Sequence, residues 1–392
     1  MIRIKPNKLF GSIAAVSSKS YAHRLIIAAM LSDDKTEIEI NGISDDIKRT
    51  LECVRALGGA YFTEGNTVFV YPVRRECNAE IFCGESGTTA RIMIPVCAAI
   101  CASAVIDGCG RLPQRPFGEI VASLRRGGVN VSAEKLPIRV SGGMKGGKYE
   151  IEGDVSSQYI TGLMFALGAV GGGEIVLTTP LKSASYVDLT IDVLEMFGVS
   201  VKKIDSGYKI SGRFTTPGRC VCEGDWSNAA FWFGANKLGC DISVSGLSSS
   251  SRQGDMKIKE LLDCDKADVD NVPDLFPILA VAAAGKNGET LLYNASRLRI
   301  KESDRIEAVK SLIKSLGGEC EAGEDYLKII GRGALSGGEV DSFGDHRIVM
   351  AAAIASVICG SDVFIKGEEA VNKSYPDFFR DFRSLGGLAD VI

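Results

Sequence analysis

Apolar and polar positions fall into blocks along this chain, and the blocks recur. One block opens with a polar turn of Gly, Ser or Asp. It runs into an Ala-rich apolar stretch long enough for a buried helix, then closes on a β-branched segment with period-two alternation. The block occurs six times, opening at SSKSYAHRL from Ser17, GESGTTAR from Gly84, DVSSQYIT from Asp154, GDWSNAAF from Gly224, VPDLFPI from Val272 and GDHRIVMA from Gly344. The predicted strands that follow read TEIEING, SAVIDGCG, GEIVLTT, CDISVSG, ETLLYNA and SDVFIKG.

A second block fills the gaps: a helix ending in Leu or Phe followed by Gly, then a hairpin of two short strands. Copies read TLECVRALGGAYFTEGNTVFV, ASLRRGGVNVSAEKLPIRV, TIDVLEMFGVSVKKIDSGYKI and EAVKSLIKSLGGECEAGEDYLKII. Gly at the helix end suits a left-handed C-cap, and the polar turns at 64–66 and 205–207 suit hairpins. The fourth copy, KIKELLDCDKADVDNV, is cut short, and the sixth ends with the chain. The pattern predicts an α/β fold of six βαβαββ-type units, each of about 70 residues. Three such units can close around a pseudo-threefold axis with helices inside and sheets outside. Six then make two lobes facing each other across a cleft, and a closed solenoid is the alternative.

Composition narrows the function. Glycine is the outlier, 45 of 392 residues, which implies many tight turns or close backbone approaches to ligands. The net charge of -4 argues against a nucleic-acid coat or a membrane-surface protein, so any bound anion must be held by local cations and helix ends. The 12 cysteines include no Cys-x-x-Cys, and Cys220 and Cys222 form only a Cys-x-Cys. They read as reduced core thiols, in line with a reducing compartment, and a cytoplasmic location is expected. The N-terminal MIRIKPNKLF has no signal-peptide core, and no stretch reaches the roughly 18 apolar residues of a membrane span. The apolar runs at Ile92–Ile106 and Ile348–Ile358 read as buried helices.

The unusual residues sit at the openings of the first block, each a predicted helix N-terminus where free N–H groups favour anions. Ser and Asp there have an ordinary reading as N-caps, which accounts for Ser17 and Asp225. Capping does not account for Lys19, Arg24, Arg91 or the His346-Arg347 pair, because a cation opposes the dipole at a helix start. Such cations are sensible when an anion binds between them and the helix. Arg111 and Arg115 flank a Pro-rich turn, and Lys373 precedes another. Arg299, Lys301, Glu302 and Arg305 lie within seven residues; on a helix Lys301 and Arg305 would share a face, and a solvated charged helix is the ordinary alternative. Asp274, after Pro273, is either a helix cap or a carboxylate aimed at a ligand. Many cations at turns of an acidic protein call for a substrate with several negative charges. Asp274, Glu302 and His346 are then available for proton transfer. No Walker loop, zinc signature or dinucleotide fingerprint is present, so no metal or cofactor is expected.

The strings KSYAHRLIIAAML from Lys19, GESGTTAR, RLPQRP from Arg111, SSQY from Ser156, LRIKESDR from Leu298, DHR from Asp345 and NKSYPDFF from Asn372 resemble those of EPSP synthases, over about residues 5–385. The resemblance implies the two-lobed inside-out α/β barrel, with residues 1–17 and 224–392 in one lobe, 18–223 in the other, and the active site in the cleft between them. It implies two small-molecule substrates, shikimate-3-phosphate and phosphoenolpyruvate, and a monomer. Neither nucleic acid nor membrane is implied as a partner. For shikimate-3-phosphate it implies Lys19, Ser20, Arg24, Ser156, Ser157, Gln158, Ser183, Asp274 and Lys301. For phosphoenolpyruvate it implies Lys19, Gly87, Arg115, Gln158, Arg305, Arg347 and Lys373. The chemistry is addition of the 5-hydroxyl to phosphoenolpyruvate, then loss of phosphate from a tetrahedral ketal, with lobe closure excluding water. Asp274 is the candidate base and Glu302 the candidate acid, with Lys19 assisting. Gly87 would leave room for the inhibitor glyphosate, an anionic competitor of phosphoenolpyruvate. Two departures stand: Arg297 replaces the Asn of some members and takes no assigned role, and Glu85 replaces an Asn in the phosphoenolpyruvate turn.

Two rivals are distinguishable by sequence. Enolpyruvyl transferases acting on UDP-N-acetylglucosamine have Lys-Asn where this chain has Lys19-Ser20. They also carry a reactive Cys where this chain has Gly110, with Cys109 one residue off. A non-catalytic or RNA-end-processing protein of the same repeats is disfavoured by the acidic pI.

Overall fold

The Ala-rich runs become helices buried along nearly their whole length, and the charged runs become helices with one wet face. The computed structural model describes residues 1–73, 75 and 77–392. Contacts divide the chain into one unit of Ser17–Cys222 and another of Met1–Val16 with Glu223–Ile392.

Among the described residues the Ser17–Cys222 unit carries the α-helices α1 (Lys19–Leu31), α2 (Asp45–Ala56), α3 (Gly87–Ile100), α4 (Gly118–Arg126), α5 (Ser157–Ala169) and α6 (Ala184–Met196). α1, α3 and α5 pack on one another. All but two residues of α3 are buried, and so are all but one of α5. An all-round apolar helix is stable only inside a core, so these three form its centre. α2 and α4 are amphipathic: α2 buries Ile47, Leu51 and Val54 and turns its charges outward. The α3–α5 contact is close for a reason legible in two residues. Pro95 lacks the N–H that would bond the Arg91 carbonyl one turn earlier. Gly162 of α5 sits there, where a Cβ would lie 2.7 Å from Pro95 Cγ and 2.9 Å from the Arg91 oxygen.

Three four-stranded mixed sheets surround these helices in sequence. In one, Cys77–Phe82 and Cys101–Asp107 pair in parallel, and Ile138–Ser141 and Asn130–Val131 continue antiparallel. A parallel pair needs a long crossover, which α3 provides; the antiparallel edge needs only a hairpin.

The other unit repeats the scheme with α7 (Trp226–Lys237), α8 (Ile258–Leu261), α9 (Phe276–Ala284), α10 (Arg305–Ser315), α11 (His346–Ala355) and α12 (Phe378–Ser384). α7, α9 and α11 are its mutually packed inner helices. Two of its three sheets are four-stranded; the third pairs only Phe10–Ala14 with Asp241–Ser245. The shortened fourth copy of the sequence repeat explains this, since its helix is the single turn α8 and no hairpin follows. The first strand, Ile2–Lys5, lies between Val363–Lys366 and Leu388–Val391, which ties the start of the chain to its end.

Several local expectations are corrected. The run Ile92–Ile106 is not one helix: α3 stops at Ile100 and Cys101–Asp107 is a strand. Ser17 is not the cap of α1. Ser18 accepts from the Tyr21 N–H, while Ser17 Oγ bonds the Cys222 carbonyl and the Asn41 N–H. Asp225 does cap α7, accepting from the Asn228 N–H at 2.8 Å. Lys301 and Arg305 do not share a helical face, because α10 begins at Arg305 behind the Asp304 cap. Asp274 is no cap either: α9 begins two residues later without a side-chain cap.

Candidate active site

The cations flagged by their helix positions gather into one group in each unit. In the Met1–Val16 and Glu223–Ile392 unit the group is built around Arg305. This first residue of α10 is 1% exposed, and its guanidinium meets three carboxylates. Nε donates to Asp345 Oδ2 at 2.9 Å, Nη1 to Asp274 Oδ1 at 2.6 Å, and Nη2 to Glu302 Oε2 at 2.9 Å. Ser303 Oγ adds a bond to the same Asp345 oxygen at 3.0 Å. Arg347, from the first turn of α11, donates through Nη2 to Asp274 Oδ2 at 2.7 Å. Asp274 is thus gripped by two arginines, one on each oxygen. Burial alone would push its carboxyl up, but Arg347, Arg305 and Lys301 hold it well below the usual carboxylate range. Asp274 is therefore ionised across the physiological range, with 20% of its side chain accessible.

Lys301 is half-buried in the turn before α10, and desolvation pulls its ammonium down to about 8 despite the opposing pull of Asp274. A lysine near neutrality is one that can exchange protons. His346 opens α11 in a buried position, with Nδ1 3.8 Å from Asp345 Oδ1. Lys373 ends a short 3-10 turn and donates to the Gly344 carbonyl at 2.9 Å, beside the DHR turn.

One further carboxylate lay outside the sequence-based set. Asp255 is 3% exposed and accepts a hydrogen bond from Ser227 Oγ. Burial, then the charge of Asp274, pushes its carboxyl up to about 7. An acid raised in the folded state holds its proton longer than the unfolded chain does. Its effect is to lower stability as pH rises from the ordinary carboxyl range to about 7. Asp255→Asn is therefore expected to gain on the parent by on the order of 4 kcal/mol between pH 4 and pH 8. Urea midpoints at the two pH values check this; parallel pH dependence in both proteins would refute it.

In the Ser17–Cys222 unit the group lies at the starts of α1, α3 and α5. Lys19, first residue of α1, pairs with Asp46 Oδ2 of α2 at 2.9 Å, both side chains largely buried. Ser20 follows it and supplies a carbonyl to Arg24 Nη1 at 2.6 Å. Arg24 is 1% exposed; its other contacts are Thr190 Oγ1, Thr161 Oγ1 and the Tyr186 carbonyl. Burial lowers it to about 10. In this structure Arg24 braces α1 against α5 and α6.

Gln158 links α5 to α3: its Oε1 accepts from Arg91 Nη1 at 2.9 Å, and its Nε2 donates to Thr88 Oγ1 at 2.8 Å. Ser156 caps α5 and Ser157 is its first residue, buried. Ser183 precedes α6 with φ of 54°, a left-handed conformation uncommon for a residue with a Cβ. Such strain at a helix start is the kind that function retains.

The α3 start is held by a buried polar chain. His23 Nδ1 and Thr50 Oγ1 are 2.6 Å apart, Thr50 and Thr89 hydroxyls 2.8 Å, and Thr89 and Ser86 hydroxyls 2.7 Å. Ser86 caps α3 immediately before Gly87. The Arg115 guanidinium lies over that glycine, so a Cβ on Gly87 would sit 2.5 Å from Arg115 Nη1. The space left by the missing side chain is thus taken up by Arg115, not left open. Gly87→Ala must push Arg115 aside but meets only the end of a flexible side chain. The fold should survive, and the displaced Arg115 should raise by about tenfold the KM of any anionic substrate it contacts. Steady-state kinetics against each substrate would test this, and an unchanged KM for both would disprove it.

Asp46 and Asp255 had no signal in the sequence, while His23, Thr50, Ser86, Thr88 and Thr89 lay inside the quoted strings without being marked as hydrogen-bonding partners. Asp345 and Ser303 lay inside flagged motifs, but nothing local marked them as partners of Arg305.

Residues 4–266 and 257–382 match the sequence profile of the family described as EPSP synthase (3-phosphoshikimate 1-carboxyvinyltransferase). A 3-phosphoshikimate 1-carboxyvinyltransferase of Clostridium kluyveri is 39% identical over 422 aligned positions, covering 99% of this chain and 98% of that protein. Another, of Clostridium acetobutylicum, is 38% identical and covers 98% and 97%. Among solved structures, an EPSP synthase from Acinetobacter baumannii matches with a TM-score of 0.82 at 23% identity, over 100% of this chain and 99% of that one. The enolpyruvyl transferase NikO from Streptomyces tendae matches at 0.80 with 15% identity, over 99% and 98%. At these identities the structural matches establish the fold, the inside-out α/β arrangement. No helix among the described residues is long and apolar enough to cross a membrane.

Proposed function

The chain belongs to the EPSP synthase family, and from that premise we propose how its two groups of residues carry the reaction. The enolpyruvyl group of phosphoenolpyruvate is transferred to the 5-hydroxyl of shikimate-3-phosphate, and phosphate is released. The observation that carries this reading is identity of 39% along the whole of both chains.

Asp274, ionised and fixed by Arg305 and Arg347, accepts the hydrogen bond of the attacking hydroxyl and orients its oxygen. Glu302, whose one oxygen is engaged by Arg305, serves as the candidate acid toward the methylene carbon, with Lys19 assisting. Lys301, titrating near neutrality, works beside Asp274 at the shikimate hydroxyls. Attack at the second carbon of phosphoenolpyruvate, with proton gain at its methylene, gives the tetrahedral phosphate ketal. Loss of the phosphate and of one methyl proton then restores the double bond. Arg115, Arg305, Arg347 and Lys373 are assigned to the phosphoenolpyruvate anion. Ser156, Ser157 and Ser183, with Ser20, Arg24 and Gln158, are assigned to shikimate-3-phosphate. Preorganised cations of this kind stabilise an anionic intermediate and a leaving phosphate.

One local observation disfavours the nucleotide-sugar transferase. Gly110 stands where that enzyme carries its reactive Cys, and a Cβ there would run into the Glu85 carboxylate. The deciding experiment is phosphate release from phosphoenolpyruvate, with shikimate-3-phosphate or with UDP-N-acetylglucosamine. Release dependent on shikimate-3-phosphate is expected. Release only with the nucleotide sugar, or with neither, would overturn the reading.

A further inference from the structure

Two thiols outside the site face each other across neighbouring strands. Cys77 opens the strand Cys77–Phe82 and Cys101 opens Cys101–Asp107; they are register partners, with sulfurs 3.6 Å apart. Paired strands run about 4.8 Å apart, within the roughly 4.4–6.8 Å between Cα atoms that a disulfide spans. The register shifts by one residue just after this pair, between Cys77 and Asn78, and a bond needs the two sulfurs to close from 3.6 Å. Cys101 is also the C-cap of α3, its N–H bonded to the carbonyl of Cys97, which lies in the last turn.

The surroundings divide the labour between the two. Hydrogen bonds from Cys97 and then Cys77 lower the Cys101 thiol against the opposing effect of burial. Burial, then the contact with Cys101, pushes Cys77 up to about 11. Cys101 is the group held nearest the nucleophilic thiolate, and Cys77 is a thiol poised to resolve what forms on it. Cys101 is 5% exposed and Cys77 is half-buried, so the less enclosed approach to the pair is on the Cys77 side. Cys53 and Cys83 also touch, but both are fully enclosed.

We propose that Cys77 and Cys101 form an oxidisable dithiol site, converted by a hydroperoxide to an intramolecular disulfide. The Cys101 thiolate attacks the terminal O–H oxygen of the hydroperoxide and the O–O bond breaks; the alkoxide (hydroxide from hydrogen peroxide) leaves and takes up a proton, giving a sulfenic acid on Cys101. Cys77 sulfur then attacks the Cys101 sulfur and expels the S–OH oxygen as water. In sum, two thiols and one hydroperoxide give one disulfide, one water and the alcohol of the oxidant, or a second water from hydrogen peroxide. The link closes the base of the segment 77–101, whose other end carries Gly87 and Arg91.

The test uses the full chain bearing Cys109→Ser, which removes an exposed thiol that would oxidise independently. Hydrogen peroxide is added under native conditions, and the protein is digested and mapped by mass spectrometry. Expected are a Cys77–Cys101 linked peptide, loss of both thiols, a mass about 2 Da lower, and reversal by dithiothreitol. Cys77→Ser, at a half-buried position that tolerates the change, should abolish the link and drive Cys101 on to sulfinic acid. A Cys97–Cys101 link, a Cys77 adduct with Cys101 intact, or no thiol loss would each overturn the proposal.

Discussion

Replacing Arg305 with Met should destabilise its unit by about 3–5 kcal/mol and abolish turnover. The reason is the company this side chain keeps. Asp345 is fully buried, and Asp274 and Glu302 are largely enclosed, each bonded to a different nitrogen of one guanidinium. Removing the cation leaves like charges facing one another in a medium that solvates them poorly, which costs far more than a surface pair is worth. Arg305→Lys should recover only part of the loss, because an ammonium lacks the planar fork that meets three acceptors. Arg305→Met combined with Asp345→Asn should restore stability beyond the sum of the single changes, since one removes the charge the other strands. Thermal and urea unfolding of the parent, Arg305→Met, Arg305→Lys, Asp345→Asn and the double variant measure this. A single mutant as stable as the parent would mean that the network contributes nothing to the fold.

Asp274→Asn keeps the shape of the side chain and removes its charge. Its one oxygen can still accept from Arg305 or Arg347, but its NH2 then faces the other guanidinium, so a stability loss of about 1–3 kcal/mol is expected and is measured beside turnover. Turnover should fall by roughly 10²–10⁴-fold at saturating substrates, the usual size of a lost acid–base or orienting carboxylate. The role proposed for Asp274 puts the loss in kcat more than in either KM, since a contact to the attacking hydroxyl would gain strength in the transition state. Near-normal phosphate release from the variant would remove Asp274 from the mechanism and leave the family assignment standing.

Much of this protein was legible along the chain. The repeat was readable because helix and strand periodicity are local: a buried inner helix such as α5 is apolar all round, and an outer one such as α2 is not. The irregular fourth unit was readable too, since a missing hairpin is missing from the sequence. The cations were found because Lys19 and Arg347 sit in first turns of helices, where a positive charge works against the dipole, and Arg24 and Arg91 follow in the next turn. What each of them touches was not readable. Lys19 meets Asp46 from the next helix, Arg24 spends its donors on α5 and α6, and Arg305 reaches residues 31 and 40 positions away. Asp274 looked like a cap because Pro-Asp before an apolar run often is one; two arginines from other helices claimed it instead. Cys77 and Cys101 looked like separate core residues until a parallel crossover brought them into register. Sequence determined the elements, their order and the helix ends that carry the charge, because propensity and periodicity act over a few residues. Only the tertiary structure decided which charges pair, which arginines brace the fold and which thiols meet, because those distances are set by how distant elements close around a common core.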